Sequence, residues 1–397
     1  MLLGLRCDRL IPGLVDAYTG AGSMRRQVAG EPRPRAANLL GHAVRLRGEL
    51  PSVDLSPARR DFLDRQLVAL ECALRRAAGQ PPGFRAELRG YFDTDVRLGE
   101  PDRYRAAHAE LAELLPGGGP LAARMSAYRL ADEVPRACLE PAIRALSGAL
   151  RELTRREVEL PAEETASYEL TSDRPWSAFN HYLGGYHSRI VVNSDTGRRA
   201  SQLPHLVAHE GYPGHHTERC RRHRVLVTDG GCVEQTIFLV NTPQCVLSEG
   251  LADLGLTAAA GPSWGWWAAE VLAGVGIRLD GELAERVEAA TAALLPVRQD
   301  AVLMLFERGA GLDEVTDYLR RWLLVPEPRA RQMLRFLTHP LWRGYTTTYV
   351  EGGRLLGAWL AARPAGQSAL LRLRRLFDEP LTPRALRAEL GWPEPTG

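Results

Sequence analysis

Lysine is absent from this 397-residue chain, in which all 50 basic residues are arginine. Enzymes that form a Schiff base or use an amine nucleophile depend on the lysine side chain, so both classes are excluded. The arginines are balanced by 48 acidic residues, and no segment combines a basic patch with interleaved aromatic residues. This balance argues against a protein that binds nucleic acid.

Cysteines and long hydrophobic runs are also scarce. The six cysteines form no Cys-x-x-Cys pair, which is typical of reduced, buried thiols. The apolar start Met1–Leu5 is followed at once by Arg6 and Asp8, so it is shorter than the roughly 7–15 apolar residues of a signal peptide. Inspection finds no apolar run of membrane-spanning length. We therefore predict a cytoplasmic protein with no membrane partner.

Helical patterns dominate residues 1–160. Apolar residues recur there at three- and four-residue spacing, and glycine- and proline-rich breaks separate the segments. The clearest segments are Asp61–Arg76, Arg103–Leu115 and Leu121–Leu130. Further along, Tyr168–Thr171 and Ser188–Asn193 carry the β-branched and aromatic residues typical of strands. The sequence thus predicts a mainly α fold with a small β-sheet or hairpin.

The densest cluster of reactive side chains is the segment from His209 to His216. It reads His-Glu-Gly-Tyr-Pro-Gly-His-His, so three of the ten histidines and one carboxylate lie within eight residues. A hydrolytic zinc site needs two or three neutral imidazoles, often a carboxylate, and an open position for water. In the zinc-peptidase pattern His-Glu-x-x-His, the glutamate beside the first histidine acts as the base. His209 and Glu210 match the first half of that pattern.

The second half of the pattern is interrupted by Pro213. This proline stands where the second histidine is expected, and together with Gly214 it predicts that the helix kinks, bulges or stops. His215 would lie about 240° from His209 around a straight helix, and a bulge would bring it back. His216 would face correctly but lie about 10 Å away. We favour His215 as the second ligand and keep His216 as an alternative ligand or a supporting group.

A third ligand is available in the segment Ser248–Asp253. Glu249 and Asp253 are four residues apart, which places them on one face of a helix. Glu249 would bind the metal, and Asp253 would accept the second ring proton of a ligand histidine and so define its tautomer. Further along the chain, the forked donors of Arg343 are suited to pair with a substrate carboxylate.

These motifs resemble the bacterial family known as domain of unknown function 885. Its members carry a His-Glu-x-x-Pro-Gly-His-His motif and a later Glu-Gly motif, which are matched here by His209–His216 and by Glu249-Gly250. The family is similar to the zincin-like metallopeptidases and, more distantly, to helical carboxypeptidases with a His-Glu-x-Gly-His motif. Aligning Gly214-His215 with that last Gly-His implies that His215 is the second ligand.

The resemblance covers most of residues 165–397, in which Tyr349 and Gly352 match a later Tyr-x-x-Gly segment of the family. It implies that Tyr349 hydrogen-bonds the developing oxyanion, with Tyr345 as the alternate. It also implies a zincin-like catalytic region over residues 161–397. The helical residues 1–160 would then form one side of the cleft within the same compact unit.

We predict a mainly α, zincin-like hydrolase that binds one zinc ion per chain through His209, His215 and Glu249. Glu210 would take a proton from the zinc-activated water and return it to the leaving group. The predicted substrate is a peptide or a small amide. Two alternatives stay open: a metal-dependent enzyme for a small amide, ester or secondary metabolite, and a non-enzymatic helical protein whose zinc has four protein ligands. The sequence assigns no oligomeric state.

Overall fold

The computed structural model describes residues 1–172, 177–195 and 197–395. The chain is mainly α-helical, as the sequence predicts. The helices, numbered in chain order, are α1 (Leu2–Asp8), α2 (Gly22–Gly30), α3 (Ala36–Glu49), α4 (Pro57–Ala77), α5 (Phe84–Phe92), α6 (Pro101–Leu114), α7 (Leu121–Ala131), α8 (Arg136–Arg155), α9 (Leu203–Glu210), α10 (His215–Arg222), α11 (Pro243–Ala260), α12 (Trp264–Ala273), α13 (Gly281–Ala292), α14 (Pro296–Phe306), α15 (Leu312–Leu323), α16 (Glu327–Thr338), α17 (Thr346–Ala361), α18 (Ala369–Asp378) and α19 (Pro383–Glu389).

Two small sheets accompany the helices. The strands are β1 (Val15–Tyr18), β2 (Thr165–Thr171), β3 (Ala178–Gly184), β4 (His187–Asn193) and β5 (Ile237–Leu239). The three-stranded sheet has the order β2-β4-β3, with β2 parallel and β3 antiparallel to β4. The other sheet pairs β1 with β5 in antiparallel fashion. Strands β2 and β4 contain the two predicted segments, whereas β1, β3 and β5 were not predicted.

The predicted N-terminal helices are confirmed as α4, α6 and α7. Helix α4 begins where Ser56 accepts a hydrogen bond from the backbone N–H of Arg59, and Pro57 occupies its first turn. It ends just before Gly79, which has a positive φ of 77° that glycine adopts without strain. The start of this helix thus follows from capping by Ser56, and its end follows from the backbone freedom of Gly79.

The largest hydrophobic core joins the first and last parts of the chain. It combines buried side chains from α5 and α6 with others from α11, α14 and α15, including Leu88, Tyr104, Leu111, Val246, Val302 and Leu319. Burial of apolar surface from both parts in one cluster stabilises their packing against each other. Residues 1–160 and the later residues therefore share a hydrophobic interior.

One stretch, Gly281–Phe306, is long and apolar enough to cross a membrane by length and composition: it has 26 residues, and an 18-residue window within it has a mean hydropathy of 1.3. This stretch differs from the expectation that no apolar run has membrane-spanning length. In the fold it forms α13 and α14, and Val287, Val297 and Val302 lie in the largest hydrophobic core. This arrangement is typical of a helix pair in a protein interior.

Helices α11 and α17 pack in unusually close contact through glycine. A Cβ atom on Gly250 would lie 2.6 Å from the carbonyl carbon of Gly352, and one on Gly352 would lie 2.4 Å from the carbonyl oxygen of Val246. No larger residue fits at either position without moving the helices apart. The Glu-Gly motif and the Tyr-x-x-Gly segment therefore meet, which brings Tyr345 and Tyr349 towards Glu249.

Candidate metal centre

The break between α9 and α10 brings His209 and His215 together. Helix α9 ends at Glu210 and α10 begins at His215, so the predicted interruption at Pro213 is confirmed. Gly214 donates its backbone N–H to the carbonyl of Ala208, and a Cβ atom on Gly214 would lie 2.0 Å from the carbonyl oxygen of His209. Because this turn is so tight, the imidazole rings of His209 and His215 lie 4.7 Å apart between centroids.

Glu249 completes a group of three possible ligands with these histidines. One ligand atom from each residue lies within 4.8 Å of the other two. Glu249 Oε2 is 3.3 Å from His209 Nε2 and 3.7 Å from His215 Nε2. This oxygen is buried, and among the described residues it has no hydrogen-bond partner besides these two histidines. Two imidazole nitrogens and one carboxylate oxygen are donors that zinc binds in catalytic sites, so these residues fit the metal that the resemblance implies.

The outer atoms of the three side chains are held by neighbouring groups. His209 Nδ1 lies 2.9 Å from Asp253 Oδ1, as expected for the predicted tautomer-defining contact. His215 Nδ1 lies 3.3 Å from Ser248 Oγ, which itself donates to Glu218 Oε2 at 2.5 Å. Contacts of this kind orient imidazole ligands and make their free nitrogens more basic. Both Nε2 atoms are therefore left to face Glu249.

Asp253 also belongs to a second group of possible ligands, with His205 and His209. His205 Nε2 lies 3.6 Å from Asp253 Oδ1, but the side chain of His205 is 48% exposed. In this group His209 contributes the nitrogen that faces Asp253, whereas its Nε2 faces Glu249. The group around Glu249 is the more buried of the two. It includes Glu249 Oε2, which within the described ranges has no hydrogen-bond partner besides the two histidines.

The electrostatics of the group favour a positive charge between its members. Burial alone would lower the pKa of both histidines, but hydrogen bonds to carboxylates outweigh it. The pKa of His215 rises to about 9 through Glu218 and Glu249, and that of His209 rises well above its usual value through Asp253 and Glu249. Burial would raise the pKa of Glu249, yet its contacts with both histidines lower it. A cation is therefore stabilised here.

Glu210 lies beside the group at the end of α9. It is 8% exposed, and its backbone carbonyl accepts a hydrogen bond of 2.7 Å from Asn180 Nδ2 in β3. This bond attaches the sheet to the end of the helix. Burial raises the pKa of the Glu210 carboxyl, while the charges of His209 and His215 oppose that rise. A carboxylate with a raised pKa next to possible metal ligands suits a general base.

The two tyrosines have different places in the centre. The Tyr345 hydroxyl donates a hydrogen bond of 2.6 Å to Glu249 Oε1, so it orients the carboxylate. Tyr349 stacks against His209, with ring centroids 6.4 Å apart. Burial and the charge of Glu249 raise the pKa of both tyrosines well above its usual value, so both keep their protons. Tyr345 is therefore the tyrosine that contacts Glu249, and Tyr349 is the one that packs against His209.

His216 does not join the group around Glu249. Its Nε2 lies 3.0 Å from Glu164 Oε2, and its Nδ1 lies 2.8 Å from Ser188 Oγ in β4. Glu164 also accepts a hydrogen bond of 2.5 Å from Tyr212. His216 is completely buried, and burial lowers its pKa. His216 follows His215 directly in α10, so its side chain points away from Glu249 and towards the three-stranded sheet. Its contacts with Glu164 and Ser188 therefore support the motif from the side of the sheet.

Arg343 lies outside the centre, in contrast to the predicted substrate contact. It forms an ion pair with Glu87, which is 1% exposed, through Nε at 3.2 Å and through Nη2. Its guanidinium also packs against the rings of Phe84 and Phe306, at 5.2 Å and 4.8 Å from their centroids. These contacts hold the guanidinium between α5 and the end of α14. The charge on Arg343 thus compensates a buried carboxylate.

Asp16 lies within electrostatic range of the centre although it is in no motif. It lies in β1, 3.7 Å from Arg219, and the charges of His215 and Glu249 act on its carboxylate. Burial raises the pKa of Asp16, and Arg219 opposes the rise. Its position depends on the pairing of β1 with β5, two segments far apart in the chain. That pairing leaves no local pattern from which Asp16 would be found.

Comparisons with known proteins add information on the fold. No protein-family model matches the chain, and no curated protein matches it. Among solved structures, a "putative lipoprotein" from Colwellia psychrerythraea is similar with a TM-score of 0.53 and 15% identity, over 92% of this chain and 68% of that chain. One of unknown function from Shewanella oneidensis has a TM-score of 0.53 and 12% identity, over 92% and 76%. At these identities the likeness shows a shared fold, and membership in the family known as domain of unknown function 885 stays a prediction.

Proposed function

We propose that this protein is a zinc-dependent hydrolase of amide bonds, with peptides as the leading substrate class. The observation that carries the proposal is the convergence of His209 Nε2, His215 Nε2 and the buried Glu249 Oε2, one ligand atom from each residue lying within 4.8 Å of the other two. Two imidazole nitrogens and one carboxylate oxygen that converge in a buried place form a donor set suited to zinc, so a bound cation would account for this arrangement.

His209, His215 and Glu249 would hold the zinc ion. Bound there, zinc would supply Lewis acidity that activates water and polarises a substrate carbonyl. Glu210 would accept a proton on its carboxylate and deliver it to the leaving nitrogen, since burial raises its pKa. Tyr349, which keeps its proton, would donate its O–H to the oxygen on which negative charge develops.

The alternatives differ in what they require of the centre. A closed structural zinc site needs a fourth protein ligand, and the group in residues 1–172, 177–195 and 197–395 has three members, with His216 directed elsewhere. This favours a site with an open position. An enzyme for a small amide, ester or secondary metabolite would use the same centre, and it is distinguished by its substrate.

The location of the protein stays a prediction. Two proteins of similar fold are named as lipoproteins, whereas we predict a cytoplasmic protein. The proposed chemistry does not depend on the compartment. It requires the centre, zinc and a substrate that reaches Glu210.

The experiment that tests the proposal compares wild type with Glu210→Gln. Both proteins, loaded with zinc, are incubated with a peptide library and with a panel of small amides and esters, and products are identified by mass spectrometry. We expect Glu210→Gln to retain zinc and to lose about 100-fold or more of the hydrolysis rate, because it removes the proton acceptor. Glu270→Gln, an exposed substitution of the same kind in α12, serves as the control.

The outcomes separate the three functions. Turnover of peptides that depends on Glu210 supports the proposal, and turnover of the small compounds alone supports the second function. Zinc binding without any turnover, in wild type as in Glu210→Gln, would support a structural role.

A further inference from the structure

Arg298 lies on the tyrosine side of the candidate metal centre. It is in the first turn of α14, and the next residue, Gln299, donates a hydrogen bond of 3.2 Å from Nε2 to Glu351 Oε1 in α17. That bond holds α14 against the helix that carries Tyr349. The charges of Tyr349 and Asp253 act on Arg298, so the guanidinium is close to the two groups that border His209.

The guanidinium of Arg298 is without a protein partner. Its Nε is buried and makes no hydrogen bond, and within the described ranges no carboxylate lies within 4.0 Å of its nitrogens. Other partly buried arginines nearby are paired. Arg199 contacts Glu288 at 3.3 Å, and Arg129 donates to the carbonyl of Leu324 at 2.6 Å. Arg298 is partly buried, and a buried N–H without a protein partner is costly, so a group outside the protein is the expected partner of Nε.

A second arginine increases the positive charge at this place. Arg329 in α16 is close enough to Arg298 and Arg199 for their charges to act on it. Burial lowers the pKa of both Arg298 and Arg329. The charge of each arginine also disfavours the positive charge of the other. An anion bound by Arg298 would relieve both the desolvation and the repulsion. The positive charges of Arg298 and Arg329 thus favour a negatively charged ligand at this place.

We infer that Arg298 binds a carboxylate of the substrate. This inference rests on the proposed function and gives it a substrate class. A planar carboxylate accepts two parallel hydrogen bonds from a guanidinium, which provides orientation as well as affinity. The carboxylate is either the free C-terminus of a peptide or an acidic side chain next to the cleaved bond. In the first case the enzyme releases C-terminal residues.

The test measures binding of three matched compounds by isothermal titration calorimetry. They are N-acetyl-alanyl-alanine, its C-terminal amide, and N-acetyl-alanyl-isoglutamine, in which the carboxylate is on the side chain. The zinc-loaded protein carries Glu210→Gln so that no compound is consumed. We expect one of the two acids to bind about tenfold or more tightly than the amide, because a charge-assisted hydrogen bond to the guanidinium is gained.

Substitution of Arg298 decides whether this residue is responsible. Arg298→Gln, added to the same protein, is expected to reduce the preference for the acid to less than about twofold while zinc is retained. Arg298→Lys keeps the charge without the forked donors and should retain part of the preference, which keeps the test valid if the glutamine variant does not fold. Arg286→Gln, which removes an arginine paired with Glu110 on the surface of α13, is the matched control.

Each outcome bears on the inference. A preference that disappears with Arg298 and persists in Arg286→Gln supports it, and the preferred acid identifies the position of the carboxylate. Equal binding of all three compounds, absence of binding, or a preference that survives in both Arg298 variants would overturn it. Acid binding through Arg298 without any hydrolysis would refute the proposed function alone. Hydrolysis that depends on Glu210 without a preference for acids would refute this inference alone.

Discussion

The hydrogen bond from Tyr345 to Glu249 gives a sharp prediction, because it can be removed with almost no change of shape. Tyr345→Phe deletes the hydroxyl that lies 2.6 Å from Glu249 Oε1. The ring stays packed between Trp342 and Tyr349, whose centroids lie 5.3 Å and 5.9 Å away. What changes is the orientation of the carboxylate whose other oxygen faces the two histidines.

The size of the effect follows from the burial of this bond. Removal of one partner from a buried hydrogen bond to a charged group costs about 1.5–3 kcal/mol, so metal-free Tyr345→Phe should lose about that much stability. Loss of a group that orients a metal ligand typically lowers metal affinity about 10- to 100-fold. That corresponds to a further loss of about 1.4–2.7 kcal/mol when zinc is bound.

Chelator competition and urea unfolding, with and without zinc, measure the two effects separately. The matched control is Tyr104→Phe, which removes a buried hydroxyl that donates to Asp300 at 2.7 Å, away from the centre. We expect Tyr104→Phe to lose stability equally in both states and to keep its zinc affinity. If Tyr345→Phe binds zinc within about twofold of wild type, Glu249 is not a ligand oriented by Tyr345, and the reasoning fails.

Three further predictions follow from the same contacts. Metal-free His215 has a pKa raised to about 9, so zinc must displace its proton. The zinc affinity measured by calorimetry should therefore rise from pH 6.5 to 9, and a zinc affinity that does not change with pH would contradict this. His216→Ala should lose about 2–4 kcal/mol in urea unfolding but keep zinc, since it only supports Glu164 and Ser188. Arg343→Met should lose about 1.5–3 kcal/mol, because Glu87 then keeps only Arg76, at 3.5 Å, as an ion-pair partner among the described residues. Binding of the carboxylate compounds should not change, and weaker binding would show that Arg343 contacts the substrate.

The local parts of the centre could be predicted from the sequence. Proline and glycine between His209 and His215 act on the backbone directly, so the interruption was predicted and is confirmed. The four-residue spacing of Glu249 and Asp253 defines one helix face, and Asp253 contacts His209 as expected. Both predictions depend on residues that are close in the chain, where helical geometry relates spacing to direction.

The parts built from distant segments could not be predicted. Asp16 reaches the centre through the pairing of β1 with β5, and Arg298 through the packing of α14 on α17. Neither residue stands in a motif. The same limit explains why the ion pair of Arg343 was not predicted, since its partner Glu87 belongs to another helix and lies far away in the chain. Spacing indicates which side chains share a face, whereas tertiary packing decides which charge each of them meets.

Metal content, measured by elemental mass spectrometry on purified variants, tests the central claim most directly. We predict a single equivalent of zinc in wild type, in Glu210→Gln and in His216→Ala. We predict that His209→Ala, His215→Ala and Glu249→Ala lose it, because each removes one of the three converging donors. Wild type without stoichiometric metal, or loss of zinc in His216→Ala together with its retention in His215→Ala, would contradict the account.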